Sequence, residues 1–399
     1  MKQINMTIKA SALAVFIPLA FILAAVLPAV GLCETAAVLK QPSGPAVEVV
    51  FVLDTTGSMS GLIAAAKEKI WSIANTLASA DPVPAIRMGL VGYRDRGDAY
   101  VTTTVPLSGD LDAVYSRLMQ FQADGGGDAP ESVNQALHEA VTKAGWSKPG
   151  KNVYRVVFLV GDAPPHMDYQ DDVPFAQSCR LANQKGIIIN AIQCGDVPET
   201  TPLWQEIAGL AEGRYFHVSQ SGGAMLSSSP YDMKIAELSR ALDNTRIYYG
   251  DPEQVADMET RKRTADKIYE AAAPSAIAQR SVFNASKAGA GNFLGSQELV
   301  QAVADGKVDL NTLDREALPP AYQKMDRETL KNHVENCLKQ RQDLQDSISK
   351  LAKKRQAYLE NEARKEQETY KQSFDAKVFN CIKTQAADKN ILYKGGPVL

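Results

Sequence analysis

The sequence predicts an α/β protein with a doubly wound, mainly parallel sheet, followed by an α-helical or coiled-coil C-terminal region. Three observations lead to this fold class. Between residues 48 and 219, short apolar runs alternate with amphipathic stretches, which is typical of parallel strands covered by helices on both faces. Acidic and hydroxyl side chains directly follow the first apolar run. From residue 326 to residue 394 there is neither Gly nor Pro, and apolar residues recur at heptad spacing.

The chain begins with a segment typical of export. Lys2 and Lys9 precede an uncharged run that reaches Cys33, with small residues near its end where a signal peptide is cleaved. The run is long enough to cross a hydrocarbon core of about 30 Å, so residues 1–33 are predicted as a signal peptide or a membrane anchor. Lipidation of Cys33 stays open, because Leu32 stands where a lipoprotein motif has a small residue. We expect an exported protein, in the periplasm or at the cell surface, with membrane anchoring as one alternative.

The strands of the predicted sheet are runs of aliphatic and β-branched residues. They cover residues 49–53, 88–93, 156–160, 187–192 and 214–218. Amphipathic stretches between them predict helices over residues 62–78, 111–122, 132–143 and 174–185. A further amphipathic run over residues 233–249 is expected to pack back as a closing helix. Together these elements predict one domain over residues 46–250.

The rest of the chain is predicted as two helical parts. Residues 251–325 include an Ala-, Ser- and Gly-rich stretch and are expected to form a helical or semi-ordered connector. Residues 326–390 are predicted as a helical hairpin or coiled coil, because a heptad seam runs from Leu330 to Tyr358. A single amphipathic helix lying on the domain is the alternative. Ser373 is expected to cap a further helix, and this region is the expected contact in any homo-oligomer.

Composition argues against several classes of function. The chain has 43 Lys and Arg against 46 Asp and Glu, without a basic block, so nucleic acid is not an expected partner. The four histidines form no His-x-x-x-His pair, and the sequence has no phosphate-binding Gly-rich loop and no serine-nucleophile motif. We therefore expect a protein that is not an enzyme. Four cysteines follow the N-terminal segment and their pairing is open: Cys179, Cys194, Cys337 and Cys381.

Oxygen-bearing side chains stand at the ends of two predicted strands. Asp54, Thr56 and Ser58 occupy alternate positions after the first strand, and Asp162 follows the fourth strand. In a doubly wound sheet these two strands are neighbours, and ligands gather at their carboxyl ends. Asp128 would reach the same place on a Gly-rich loop. Hard cations prefer such oxygen ligands, so the five residues predict a site for Mg²⁺, or for Ca²⁺ or Mn²⁺.

The same residues carry a family resemblance. Three segments resemble the three loops of the metal-ion-dependent adhesion site in von Willebrand factor A-like domains: Asp54-x-Thr56-x-Ser58, Gly125–Glu131 and Asp162. The resemblance covers approximately residues 46–220 and, with the N-terminal segment, points to an exported bacterial type. It implies a Rossmann-like domain that binds another protein, whose carboxylate completes the coordination of the cation.

One residue departs from that resemblance. Many adhesion sites have a neutral Thr in the second loop, whereas this chain has Asp128, so three carboxylates would surround one ion. The added negative charge predicts either weaker attraction for a partner's carboxylate or a role for Asp128 through a bridging water. Asp128 before Ala129 and Pro130 is also a good helix start, which is the alternative interpretation.

Two other functions are compatible with the sequence. A Mg²⁺-dependent phosphohydrolase of the haloacid dehalogenase type also places an aspartate after its first strand, although it usually has an acid where this chain has Thr56. A metal-free envelope scaffold would act through the C-terminal helices instead. The tripeptide Arg96-Gly97-Asp98, which some adhesion receptors recognise, is interpreted as a turn, and His166 as an ordinary loop histidine.

Overall fold

The computed structural model describes residues 44–127, 129–220, 228–365, 373–396 and 398. The signal peptide or membrane anchor predicted over residues 1–33 lies outside these ranges. Within them, no helix combines the length and the apolar character needed to cross a membrane.

Six strands within residues 46–218 form one sheet in the order β3-β2-β1-β4-β5-β6. Their bounds are β1 Ala46–Asp54, β2 Ala85–Tyr93, β3 Thr102–Ser108, β4 Val153–Gly161, β5 Ile188–Cys194 and β6 Tyr215–Val218. Neighbouring strands are parallel, except that β3 runs antiparallel to β2. Every residue of β1 and β4 is buried, which explains their continuous apolar runs. The predicted fold class is confirmed.

The strand β3 is one element that the sequence pattern does not predict. Its first four residues, Thr-Thr-Thr-Val, are only half-buried, and Pro106 is exposed. An edge strand pairs on one side only and tolerates a proline, so it needs no apolar run.

Helices cover both faces of the sheet. Their bounds are α1 Ser60–Ala78, α2 Leu111–Gln120, α3 Val133–Thr142, α4 Phe175–Gln184, α5 Thr200–Leu210 and α6 Asp232–Asp243. One core packs α1 and α2 against the sheet, and the other packs α3, α4 and α5 against its opposite face. The helix α5 is not predicted by the sequence pattern. The closing helix α6 ends at Asp243, six residues before the predicted end at 249.

The chain beyond α6 is folded onto the sheet domain as a set of helices. Their bounds are α7 Pro252–Ala271, α8 Pro274–Ala285, α9 Ala290–Leu294, α10 Leu299–Ala304, α11 Pro320–Gln323, α12 Arg327–Lys365 and α13 Phe374–Ala387. Of the two expectations for residues 251–325, a helical or a semi-ordered connector, the helices correspond to the first, and α8 is buried along most of its length and packs on α1 and α6. Its small side chains permit close helix packing there, which composition alone does not distinguish from a linker.

Most of the heptad seam of α12 is covered by residues of the same chain, whereas Tyr358 at its end is 39% exposed. Leu330 and Val334 pack in a cluster with Ile247 and Leu299, and Ile348 packs in a second cluster that includes residues of α6 and α8. This corresponds to the alternative of a single amphipathic helix lying on the domain. The predicted coiled coil would need the same apolar face, so the seam is not available for one.

The helix α13 completes the core of the sheet domain. Ser373 caps it as expected, because its hydroxyl accepts a hydrogen bond from the amide of Ala376. Phe374, Val378 and Ile382 lie in the same apolar cluster as residues of β1. The four described cysteines are free thiols.

Candidate metal centre

Most of the residues predicted to bind a metal lie together at the carboxyl edge of the sheet. Asp54 ends β1, and Asp162 follows the neighbouring strand β4. Thr56, Ser58 and Asp162 line one open cleft of about 290 Å³. Asp128, the fifth predicted residue, lies outside the described residues. The first and third loops therefore meet as the sequence predicts, while metal binding itself remains a prediction.

Asp54 is fully buried, and only one of its two carboxylate oxygens accepts hydrogen bonds from described residues. Its Oδ1 accepts hydrogen bonds from the amide of Thr56 at 2.9 Å and from the Thr56 hydroxyl at 2.6 Å. The Thr56 hydroxyl also lies 3.3 Å from the Ser58 hydroxyl. The Oδ2 of Asp54 is buried and has no hydrogen-bond partner among the described residues. Burial, with a contribution from the charge of Asp162, raises the pKa of Asp54 from 3.8 to about 7.

Glu131 is a second buried acid at this cleft, and the sequence analysis did not assign it as a ligand. It is 3% exposed and lines the cleft, and its Oε2 has no hydrogen-bond partner within the described ranges. Burial first, and then repulsion from neighbouring carboxylates, raises the pKa of Glu131 to about 9. Those carboxylates belong to Asp54, Asp95, Asp98 and Asp162. A sequence signal was present, since Glu131 follows Asp128 on the same short loop.

The Gly-rich second loop is held against the first loop by its backbone. The amide of Gly57 donates to the carbonyl of Gly125 at 3.2 Å. The amide of Gly126 donates to the Asp98 carboxylate at 3.1 Å. Gly126 has a φ of +76°, and a Cβ there would lie 2.9 Å from the Cβ of Thr56. Only glycine permits this approach without strain.

Arg96 and Asp98 of the Arg96-Gly97-Asp98 tripeptide contact other residues of the same chain. Asp98 supports the second loop, as described above. Arg96 donates to the carboxylates of Asp171 and Asp172 at 2.9 and 2.8 Å, and its guanidinium lies over the ring of Tyr169 at 3.9 Å. These contacts are those of a structural turn.

Gln220 joins the third loop to the first, and no sequence signal indicated it. Its side-chain amide donates to Asp162 Oδ2 at 2.7 Å and to the carbonyl of Ser58 at 3.3 Å. It follows β6, two strands away from β4 in the sheet, so only the tertiary fold places it beside the cleft.

His166 has a structural role beside the site. It is 7% exposed, its Nδ1 lies 2.7 Å from Asp168 Oδ1, and its ring stacks on that of Tyr169 with centroids 4.0 Å apart. It does not line the cleft. This agrees with its interpretation as a loop histidine.

The oxygen donors at this cleft fit a hard divalent cation. The buried oxygens of Asp54 and Glu131 that lack partners would be stabilised by a positive charge, because an unpaired buried carboxylate is costly. Among the residues that the structure describes, no three Asp, Glu, His or Cys side chains form a cation site by themselves. A bound ion would therefore also need the hydroxyls of Thr56 and Ser58, and water molecules, as Mg²⁺ commonly does.

The fold and the cleft define a class of protein: an open α/β domain with a ligand site at the carboxyl ends of adjacent parallel strands. The family model described as von Willebrand factor A domain matches residues 48–226. The chain therefore contains a von Willebrand factor A domain.

Curated relatives and solved structures match part of this chain. The chain is 38% identical over 97 residues to von Willebrand factor A domain-containing protein 7 of Rattus norvegicus, and 37% identical over 97 residues to its Homo sapiens counterpart. Each match covers 24% of this chain and spans 10% of the length of the relative. Among solved structures, the SpRpn10 VWA domain aligns with a TM-score of 0.34 and 13% identity, covering 44% of this chain and 89% of that domain.

Proposed function

We propose that this protein is an exported, divalent-cation-dependent protein-binding module that acts in adhesion or complex assembly. The observation that carries the proposal is a pair of buried carboxylate oxygens, on Asp54 and Glu131, that have no hydrogen-bond partner among the described residues. They lie at the cleft lined by the hydroxyl residues Thr56 and Ser58. The domain class supports it, since von Willebrand factor A domains are generally protein-interaction modules. No observation on the described residues favours the two alternatives, a phosphohydrolase or a metal-free scaffold.

The proposed ligands come from three loops. Asp54, Thr56 and Ser58 from the first loop, Asp128 from the second and Asp162 from the third would hold Mg²⁺, Ca²⁺ or Mn²⁺, directly or through water. We add Glu131 to this set because it lines the same cleft. The bound ion supplies a positive charge with an exchangeable coordination position, which a carboxylate of the protein partner fills. Gln220 keeps the Asp162 side chain in place.

We further propose that the protein binds its partner at the cell envelope and catalyses no reaction. The N-terminal segment, with Lys2 and Lys9 before its apolar run, directs the chain to the periplasm or the cell surface as a cleaved signal or as an anchor. The sheet domain then presents its carboxyl edge to the partner.

Removal of the metal or of Asp54 tests the proposal. We expect isothermal titration calorimetry to show Mg²⁺ binding to the intact protein and to the Asp257→Ala control, which changes an exposed aspartate on α7. Asp54→Ala should not bind Mg²⁺. Because it also removes the Oδ1 acceptor of the Thr56 amide and hydroxyl, circular dichroism is used to show that the variant is folded.

Partner capture is the second readout. Proteins of the cell envelope retained by the intact chain should be released by EDTA and should not be retained by Asp54→Ala. Capture that persists in EDTA, or Mg²⁺ binding by Asp54→Ala equal to that of the intact protein, would contradict the proposed function.

A further inference from the structure

We infer that the partner segment is basic: the carboxylate that reaches the metal is flanked by lysine and arginine side chains. This inference rests on the proposed function and specifies its partner class. It comes from the charges of the loops that surround the cleft.

The loops at the carboxyl edge of the sheet are strongly acidic. The described residues of these loops include eleven acids and two arginines, and the loops contain no lysine. The loops span residues 54–59, 94–101, 121–132, 162–174 and 195–199. The whole chain, in contrast, has a net charge of only −3. Negative charge is therefore concentrated at the edge where the partner would bind.

Several of these acids are directed to solvent. The side chains of Asp124, Asp168, Asp171 and Asp196 are 79%, 73%, 76% and 94% exposed. They come from three different loops around the cleft. These four exposed side chains form an acidic rim around the cleft. The rim attracts cationic side chains over a distance and repels anionic ones.

The positive groups at this edge are already used inside the protein. Arg94 is buried and donates to the carbonyls of Thr55 and Gln122. Arg96 is held between Asp171, Asp172 and the ring of Tyr169, as described above. Lys67 reaches the edge from α1 and donates to the carbonyl of Phe121 at 2.7 Å. Arg96 pairs with Asp171 and Asp172, and Arg94 Nη1 lies 3.8 Å from Asp124 Oδ2, so the two arginines offset at most three of the eleven acids. Asp168 and Asp196 lie beside His166 and His217, which add positive charge only when they are protonated.

One divalent ion does not reverse this balance, since it adds two positive charges to a large excess of acids. A partner that offered its carboxylate among further acidic residues would meet repulsion from the rim. A partner whose carboxylate lies among lysines and arginines would contact the metal and the rim together. Charge complementarity thus selects a basic segment.

Selection of short random peptides on the immobilised full-length protein in Mg²⁺ tests the inference. We expect the enriched peptides to contain an acidic residue and to carry net positive charge. The best peptide should bind about tenfold more weakly to the triple variant Asp168→Asn, Asp171→Asn, Asp196→Asn, because rim charges contribute to association. A matched triple control removes the same charge elsewhere: Asp257→Asn, Glu328→Gln and Asp346→Asn lie exposed on α7 and α12. The control should bind like the intact protein.

The possible outcomes separate this inference from the proposed function. Enrichment of acidic peptides in Mg²⁺, absence of any enrichment, or equal weakening by both triple variants would overturn the inference. Basic peptides that bind equally well in EDTA and to Asp54→Ala would support the basic character of the partner segment, but would contradict the metal-bound carboxylate and with it the proposed function.

Discussion

Glycine at position 126 determines how closely the second loop approaches the first. Its positive φ and the short distance from its Cβ position to Thr56 leave no room for a side chain. The neighbouring Gly127 has no described residue within 4 Å of its Cβ position and no positive φ. The two glycines therefore form a matched pair for testing the metal centre.

Gly126→Ala is predicted to weaken Mg²⁺ binding while the fold is retained. The added methyl group would push the second loop away from Thr56, and displacement of groups that support metal ligands typically costs about 10–100-fold in affinity. Titration calorimetry gives the affinity and circular dichroism the thermal midpoint. Gly127→Ala should leave both unchanged. If the two variants bind Mg²⁺ equally, the loop contact has no part in the site.

At the scale of elements, a buried cluster of ion pairs links α8 to the sheet domain. Arg280 on α8 is fully buried and donates from Nε to Asp112 Oδ1 on α2 at 2.6 Å. Its Nη1 donates to Asp243 Oδ2 at the end of α6 at 2.9 Å. Burial would raise the pKa of Asp112, but the charge and hydrogen bonds of Arg280 outweigh it, so this pKa is lowered. The cluster thus connects three helices from distant parts of the chain.

Arg280→Ala should lower the free energy of unfolding by about 3–5 kcal/mol, because it removes the cation bonded to the buried Asp112 and leaves the buried Asp243 with Arg246 alone. Chemical denaturation measures this change. Asp112 contributes stability above its unfolded pKa of 3.8, and that contribution is lost as the pH falls through its lowered folded pKa. Arg263→Ala, which removes an exposed arginine on α7, should change stability by no more than about 0.5 kcal/mol. Similar losses in the two variants would show that the buried cluster contributes no more than surface charge.

At the scale of the whole molecule, the sheet domain and the C-terminal helices share one core. The cluster that contains Val49 and Phe51 of β1 also contains Phe283 of α8 and Phe374 and Ile382 of α13. The last residues also contribute, since the amide of Val398 donates to the Thr76 hydroxyl at 3.0 Å. We therefore expect the folding unit of this chain to extend beyond the domain matched by the family model.

A fragment of residues 44–250 is predicted to be unstable. Without α8 and α13, part of the apolar surface of β1 and α1 would be exposed to water, which removes a large share of the stabilising burial. Limited proteolysis and dye binding to exposed apolar surface would detect this. Residues 44–399 serve as the control and should resist protease. A fragment as resistant and as thermally stable as the control would show that the helices are dispensable for folding.

Features that depend on neighbouring residues were predictable from the sequence. The apolar runs of β1 and β4 indicate buried parallel strands, because both faces of such a strand are covered and every residue is buried. The acids and hydroxyls that follow them indicate the cleft because strand ends meet at one edge. The cap at Ser373 is likewise a property of a few adjacent residues.

The tertiary structure decided the features that depend on residues far apart in the chain. The sequence shows that α12 has an apolar seam, but only packing shows that Ile348 is covered by α6 and α8 of the same chain. It shows Gln220 as an ordinary polar residue, and the position of this side chain beside the cleft follows from how distant loops meet. Periodicity and turn chemistry act over a few residues, whereas burial and charge at a site are set by every segment that reaches it.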